Sequence, residues 1–209
     1  MSKAVKSALT NQSSGKAEKS ARTRAGIIRS ARTIFARDGY ADAALTDIIA
    51  AANITTGAVY YHFGDKKGLF QAVAESVEQE IMDRIAALRN TSQTPWEQFE
   101  QGISDTLEIC SQPDIQRIVF RDAPSVIGLK LWRDIEMKYA FGAMQAATAQ
   151  LTKSGVLKSS APDITAQILL GSIIEAAHSI AQTPDKVTAL ASAKETLRMM
   201  VRSLKREAS

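Results

Sequence analysis

Tyr60, His62 and Lys66 bring a phenolic hydroxyl, an imidazole N–H and an ammonium into one short stretch, TTGAVYYHFGDKKGLF, residues 55–70. Each donates hydrogen bonds, and the lysine adds a positive charge. Such a set suits phosphate oxygens, which position a protein on a nucleic acid without reading its sequence. Just ahead of them, Thr56, Gly57 and Ala58 are small enough to let a helix approach a base-pair edge closely. There the Thr56 hydroxyl can hydrogen-bond a base and the Ala58 methyl can meet a thymine methyl. The bland alternative is that Tyr60 and His62 merely close a hydrophobic cap.

Other chemistries lack their parts. His62 and His178 are the two histidines of the chain, and no HExxH, Gly-x-Ser-x-Gly, Walker A or dinucleotide glycine pattern occurs. No enzymatic activity, metal or cofactor is therefore expected. The single cysteine, Cys110, has no disulfide partner and reads as a small buried hydrophobe. No basic n-region followed by an apolar h-region opens the sequence, so the protein is expected to be cytoplasmic. No membrane contact is expected either, because the most apolar run, residues 164–181, carries Gln167, Glu175 and His178.

The elements that must position these residues are helical. Ile27, Ala31, Ile34 and Phe35 recur at helical spacing between residues 21 and 38, and Gly39 supplies a stop. The run LTDIIAAA predicts a second helix ending at Asn53, a residue that tolerates a left-handed turn. Thr55 or Thr56 can cap a third, short helix that runs into Gly64-Asp65. Helix, tight turn, short helix is the outline of a helix-turn-helix. Leu69, Phe70, Val73, Val77, Ile81, Ile85 and Leu88 then predict one helix to about Arg89; some 24 residues would span roughly 36 Å. Further helices are expected near 95–110, 113–121, 131–153, 162–182 and 185–206, with no strand-like alternation.

Charge follows the same division. The chain is +4 overall, but residues 1–68 hold eleven Lys and Arg against five Asp and Glu, while the remainder is slightly acidic. A basic head suits phosphate binding by counterion release, although a solvated basic face has the same composition. Residues 1–20, rich in Ser and Lys, predict a mobile basic tail. The expected organisation is thus a tail (1–20), a helix-turn-helix head (21–68) and a helical body (69–209).

The stretch from Thr55 to Phe70 resembles the TetR/AcrR family of transcriptional regulators, whose recognition helix and following turn read close to T-x-G-x-x-Y-x-H-F-x-x-K-x-x-L. Thr55, Gly57, Tyr60, His62, Phe63, Lys66 and Leu69 fit that pattern. The lead-in IIRSARTIFARDGY and the second helix DIIAAANI are also similar to the family, so the specific signal covers about 50 residues. The resemblance implies an all-α fold: a three-helix DNA-binding domain joined to a helical ligand-binding and dimerisation domain. It assigns Tyr60, His62 and Lys66 to phosphates, and Thr55, Thr56, Gly57, Ala58 and Tyr61 to the groove-facing surface. The second helix departs from the family, with Ala44 and Thr46 where Ser or Thr and Arg are usual. Asp42 can cap that helix instead, and Thr46 can donate to a phosphate or a base.

For the body, the resemblance implies a small-molecule site and dimerisation through the last two helices. Phe99, Ile103, Leu107, Phe120, Ile127, Trp132, Tyr139, Phe141 and Met144 are candidates to line a cavity, or simply to form core. Ile168, Gly171, Ile174, Leu197, Met200, Val201 and Leu204 are candidates for the interface between two copies. The expected function is sequence-specific binding of a palindromic operator in double-stranded DNA by a homodimeric repressor, released by an effector. The rival from another class is a helical adaptor that binds no DNA, which would not need a basic head or the Tyr-x-His-x-x-x-Lys set.

Overall fold

A computed structural model describes the backbone of residues 3–90 and 92–207, and side chains from Gly15 onward within that range. The regular elements are helices; the one other pairing among the described residues is an antiparallel bridge between Leu157 and Lys205. The chain forms two compact units, residues 1–73 and 74–209.

The first unit contains α1 (Lys3–Asp42), α2 (Leu45–Ala52), α3 (Thr56–Phe63) and the first turns of α4 (Lys66–Leu88). Its core is the apolar stripe of α1, Ile27, Ala31, Ile34 and Phe35, closed by Ile48, Val59, Leu69, Phe70 and Val73, all essentially inaccessible to solvent. Phe35 meets Phe70 edge-on at 5.0 Å, and Tyr40 meets Phe70 at 5.1 Å. This packing explains why the unit extends past the expected boundary at residue 68: Leu69, Phe70 and Val73 belong to its core. Each such large side chain contributes roughly 1.5–3 kcal/mol on burial. Gly39 breaks α1 with φ 81°, as expected of the stop, and one further turn follows it. Toward the other end α1 reaches back to Lys3, where a mobile tail was expected. Residues 15–19 are all exposed there, so extension rests on the propagation of a helix already nucleated further on.

The turn between α2 and α3 is set by local chemistry. Asn53 adopts the left-handed conformation (φ 50°, ψ 53°); its N–H donates to the Ala50 carbonyl, and that of Ile54 donates to the Ile49 carbonyl. This paired closure satisfies two orphan carbonyls of α2 and fixes the direction of the chain into α3. Two expected caps are not made. Asp42 ends α1, leaving Ala44 at the N-cap of α2, and Thr55 holds the N-cap of α3 without a side-chain hydrogen bond. The carboxylate of Asp65 caps the next helix, accepting from the Gly68 N–H at 2.7 Å.

In the second unit, α4 continues and is followed by α5 (Pro95–Cys110), which starts with a complete capping box between Thr94 and Glu97. The expected helix 113–121 is present and runs on further, from α6 (Pro113–Ile115) through a π-helical stretch (Gln116–Asp122) into α7 (Ala123–Ile127). Gly128, with φ 98°, separates this from α8 (Leu129–Glu136). A second π-helical turn (Met137–Phe141) joins α8 to α9 (Gly142–Lys153) without a break, so the helix expected over 131–153 is continuous and carries a π turn. Each π turn widens the helix locally, a change that apolar spacing does not reveal. Two long helices close the unit, α10 (Pro162–Gln182) and α11 (Lys186–Ser203).

By length and composition alone α10 could cross a membrane, despite Gln167, Glu175 and His178. Its apolar residues have a different explanation. Ala166, Leu169, Ile173, Ala177 and Ile180 are buried, and the helix packs on α5, α9 and α11. The buried amide of Gln116 locks this arrangement by donating to the carbonyls of Cys110 and Ala177, at 2.5 and 3.0 Å.

Candidate nucleic-acid interface

Because α3 is only two turns long, a residue's position along it fixes which side it faces. Val59 is fully buried, Gly57 and Tyr61 lie on the opposite side, and Thr56 and Tyr60 are exposed on the flank between them. Tyr61 is 82% exposed and Tyr60 is 55% exposed, far more than their apolar rings would be if the unit were using them as core. Thr46, in the first turn of α2, and Thr55 are exposed as well, while Ala58, His62 and Lys66 are half-buried. None of the nine candidates is buried, and the structure brings Thr55, Thr56, Gly57, Tyr60 and Tyr61 onto one continuous surface.

Gly57 is informative because nothing inside the protein requires it. A Cβ at this position would meet only the Thr55 hydroxyl at 3.9 Å, and its backbone is not left-handed. Glycine within a helix costs about 1 kcal/mol relative to alanine, so its use on an open face suits close approach by something outside the protein. Gly68 is the opposite case. A Cβ there would lie 2.1 Å from the Phe63 carbonyl oxygen, so glycine is needed for α4 to pass the end of α3.

The cations around this surface are partly held by the protein itself. The Lys66 ammonium lies 4.6 Å from the centre of the Tyr40 ring and donates to the Ala41 carbonyl at 3.3 Å. An ammonium has three donors, so this contact orients Lys66 and leaves capacity for an external oxygen. The Tyr61 and His62 rings meet edge-on at 5.0 Å, which steadies the imidazole beside the exposed tyrosine. Arg24 joins this surface from outside the motif. Its guanidinium lies 5.2 Å from the centre of the Phe63 ring, placing a cation from α1 beside the end of α3. No local pattern announces that contact, which joins residues 39 positions apart and depends on the folded unit.

Two sequence profiles cover most of the chain. Residues 27–73 match that of bacterial regulatory proteins of the TetR family, and residues 96–204 match a tetracyclin repressor-like C-terminal domain. The chain belongs to the TetR family. A crystal structure of a TetR-family transcriptional regulator from Pectobacterium atrosepticum superposes with a TM-score of 0.80 and 36% sequence identity, covering 92% of this chain and 98% of that one. The HTH-type transcriptional repressor BepR of Brucella suis biovar 1 is 35% identical over 103 residues, a segment that is about half the length of each protein, 48% in both cases. RolR, solved in complex with resorcinol, shares the fold at 21% identity, with a TM-score of 0.66 and coverage of 92% of this chain and 100% of that one.

In the C-terminal unit of this TetR-family chain, only some of the expected cavity residues meet. Phe120 and Trp132 line a cavity of about 500 Å³ with Val119, Leu129, Glu136 and His178. Phe99, Leu107, Ile127 and Phe141 are buried core residues that line none of the cavities seen among the described residues. Ile103 faces a separate groove between α5 and α11, and Tyr139 and Met144 are half-buried away from the cavity. Val119 and Glu136 also line it, although each looks unremarkable at its helical position in the sequence.

The expected interface residues also divide. Ile168, Gly171 and Met200 are exposed and line one shallow groove between α10 and α11. Leu197 also lines that groove, although it is nearly buried, while Val201 is buried where α11 packs on α5, Ile174 borders the cavity, and Leu204 is half-buried. The apolar residues of α11 are thus shared between its packing on α5 and the groove with α10. The contact with α5 is pinned by Arg202, whose Nε lies 2.7 Å from a Glu100 oxygen, and by the Lys194–Glu108 ion pair.

Proposed function

We propose that this chain is a transcriptional repressor that binds a palindromic operator as a homodimer and acts in the cytoplasm. The observation that carries this reading is the exposed side of α3, where Gly57 and Tyr61 serve no packing need of the protein. Thr46, Tyr60, His62 and Lys66 hold phosphate oxygens on either side of α3, Arg24 adds a further cation, and Thr55, Thr56, Gly57, Ala58 and Tyr61 face the bases. The exposed groove with Ile168, Gly171 and Met200 is the self-complementary surface at which a second copy docks, as a two-fold dimer requires.

Release comes from a small molecule in the C-terminal unit. The resorcinol complex of RolR supports this use of the fold. A dimer must present its two recognition helices about 34–36 Å apart to enter successive major grooves. The effector acts by binding a different head spacing better, through α4, which runs from the first unit into the second.

Selection from a random duplex pool tests the proposal. It is expected to enrich a palindrome whose half-sites are centred one helical turn, or a multiple of one, apart. Failure to enrich any sequence at low salt would overturn it.

A further inference from the structure

Glu78, on α4, is only 5% exposed, and the influences on its carboxyl are its burial and the charge of Glu136. Glu78 borders a small void of about 30 Å³, together with Cys110, Phe120, Glu136 and Ile174. Phe120, Glu136 and Ile174 also border the cavity of about 500 Å³, so the void lies at that cavity's inner wall. A void of roughly 10–15 Å³ already accommodates a water, and an ammonium head is of similar size.

Glu78 therefore lies buried beside a second carboxyl, Glu136, with no cation among the influences on it. Burying an unpaired charge is costly, and the group neutralises unless a partner arrives. Burial first, and the charge of Glu136 second, push the Glu78 carboxyl up to about 7. Burial also raises Glu136, against opposing effects from Arg133, a hydrogen bond with Trp132, and His178. The Cys110 thiol, pushed up to about 12, stays uncharged. Arg84, further along α4, donates to Gln112 at 2.9 Å and pairs with Glu80 at 3.7 Å, although its charge also acts on Cys110. Lys130 and Arg133 stand at the exposed side of the larger cavity.

We propose that this site takes a monovalent organic cation, a protonated amine on an apolar body, with its ammonium between Glu78 and Glu136 and its body against Phe120 and Trp132. The aromatic rings add cation–π attraction and apolar contact. The inference names the chemistry of the effector and so rests on the reading of an effector site; the binding itself can be tested without it.

The probes are 4-phenylbutylamine, 4-phenyl-1-butanol and 5-phenylvalerate, of matched body and differing charge, titrated calorimetrically into the full chain. The amine is expected to bind at least roughly tenfold more tightly than the other two. Glu78→Gln and Glu136→Gln, which keep side-chain volume, are each expected to remove most of that preference. In the wild type, amine affinity rises between pH 6 and 8 as Glu78 ionises, while alcohol affinity does not. That pH response requires no variant to fold. Preference for the alcohol or the carboxylate, an amine preference unchanged in both variants, or no binding of any probe at millimolar concentration would overturn the proposal. Adding the amine to the chain on its selected duplex separates the two readings. Binding without DNA release leaves the cation site standing and removes the effector role; release by the carboxylate alone keeps the effector role and removes the cation site.

Discussion

Single side chains on the two units face opposite electrostatic problems. Lys66 is a cation held at a surface by Tyr40 and the Ala41 carbonyl, ready for an external oxygen. Lys66→Ala should reduce operator affinity for all sequences alike and make its salt dependence shallower by about one released counterion. Its cost to folding should be about 1 kcal/mol or less, the scale of one exposed cation–π contact. Glu78 is a carboxyl held where its charge is unwelcome. With its folded pKa raised from 4.5 to about 7, the native state keeps a proton that the unfolded chain gives up. Stability therefore falls as pH rises from about 4.5 and levels off above about 7, by up to about 3 kcal/mol. Glu78→Gln should match the wild type near pH 4.5 and exceed it progressively toward pH 8 in urea denaturation; a gap independent of pH would refute this account. Tyr60, His62 and Lys66 were legible in the sequence because their types and spacing mean the same thing in any fold that presents them. Arg24 and Glu78 were not, because the Phe63 ring and the Glu136 carboxyl that give them meaning come from other elements.

At the scale of elements, two glycines one helix apart make opposite demands. Gly68→Ala places a methyl against the Phe63 carbonyl and should destabilise the first unit by roughly 1–3 kcal/mol, the usual range for a forced overlap in packed structure. Gly57→Ala meets open space and should stabilise α3 by up to about 1 kcal/mol while weakening operator binding. Thermal unfolding and DNA titration of both variants separate the two roles; equal effects on folding would contradict the distinction. The bounds of α2 and α3 could be read from LTDIIAAA, Asn53 and Gly64 because their stop signals are local. The same logic gave α5 and α10 their starts at Pro95 and Pro162. The π-helical turns at 116–122 and 137–141 lie inside expected helices and have no Gly or Pro marking their starts, so apolar spacing does not reveal them.

For the whole molecule, the decisive quantity is assembly on DNA. Ile168 is 59% exposed and sits with Met200 on a groove that the protomer leaves open. Ile168→Asp should shift the chain toward monomer in sedimentation and weaken binding to a full palindrome much more than to an isolated half-site; unchanged sedimentation would exclude this groove from the interface. The most direct test of the central claim is a salt series of binding to the selected duplex with wild type and Tyr60→Phe, which removes one hydroxyl and leaves the ring. The surface described here predicts nanomolar-range binding at low salt, a fall linear in log affinity against log salt, and a loss for Tyr60→Phe of roughly 1 kcal/mol or more, the scale of one hydrogen bond to a charged group. Binding that ignores both salt and the Tyr60 hydroxyl would contradict the assignment of α3 as the surface that holds DNA.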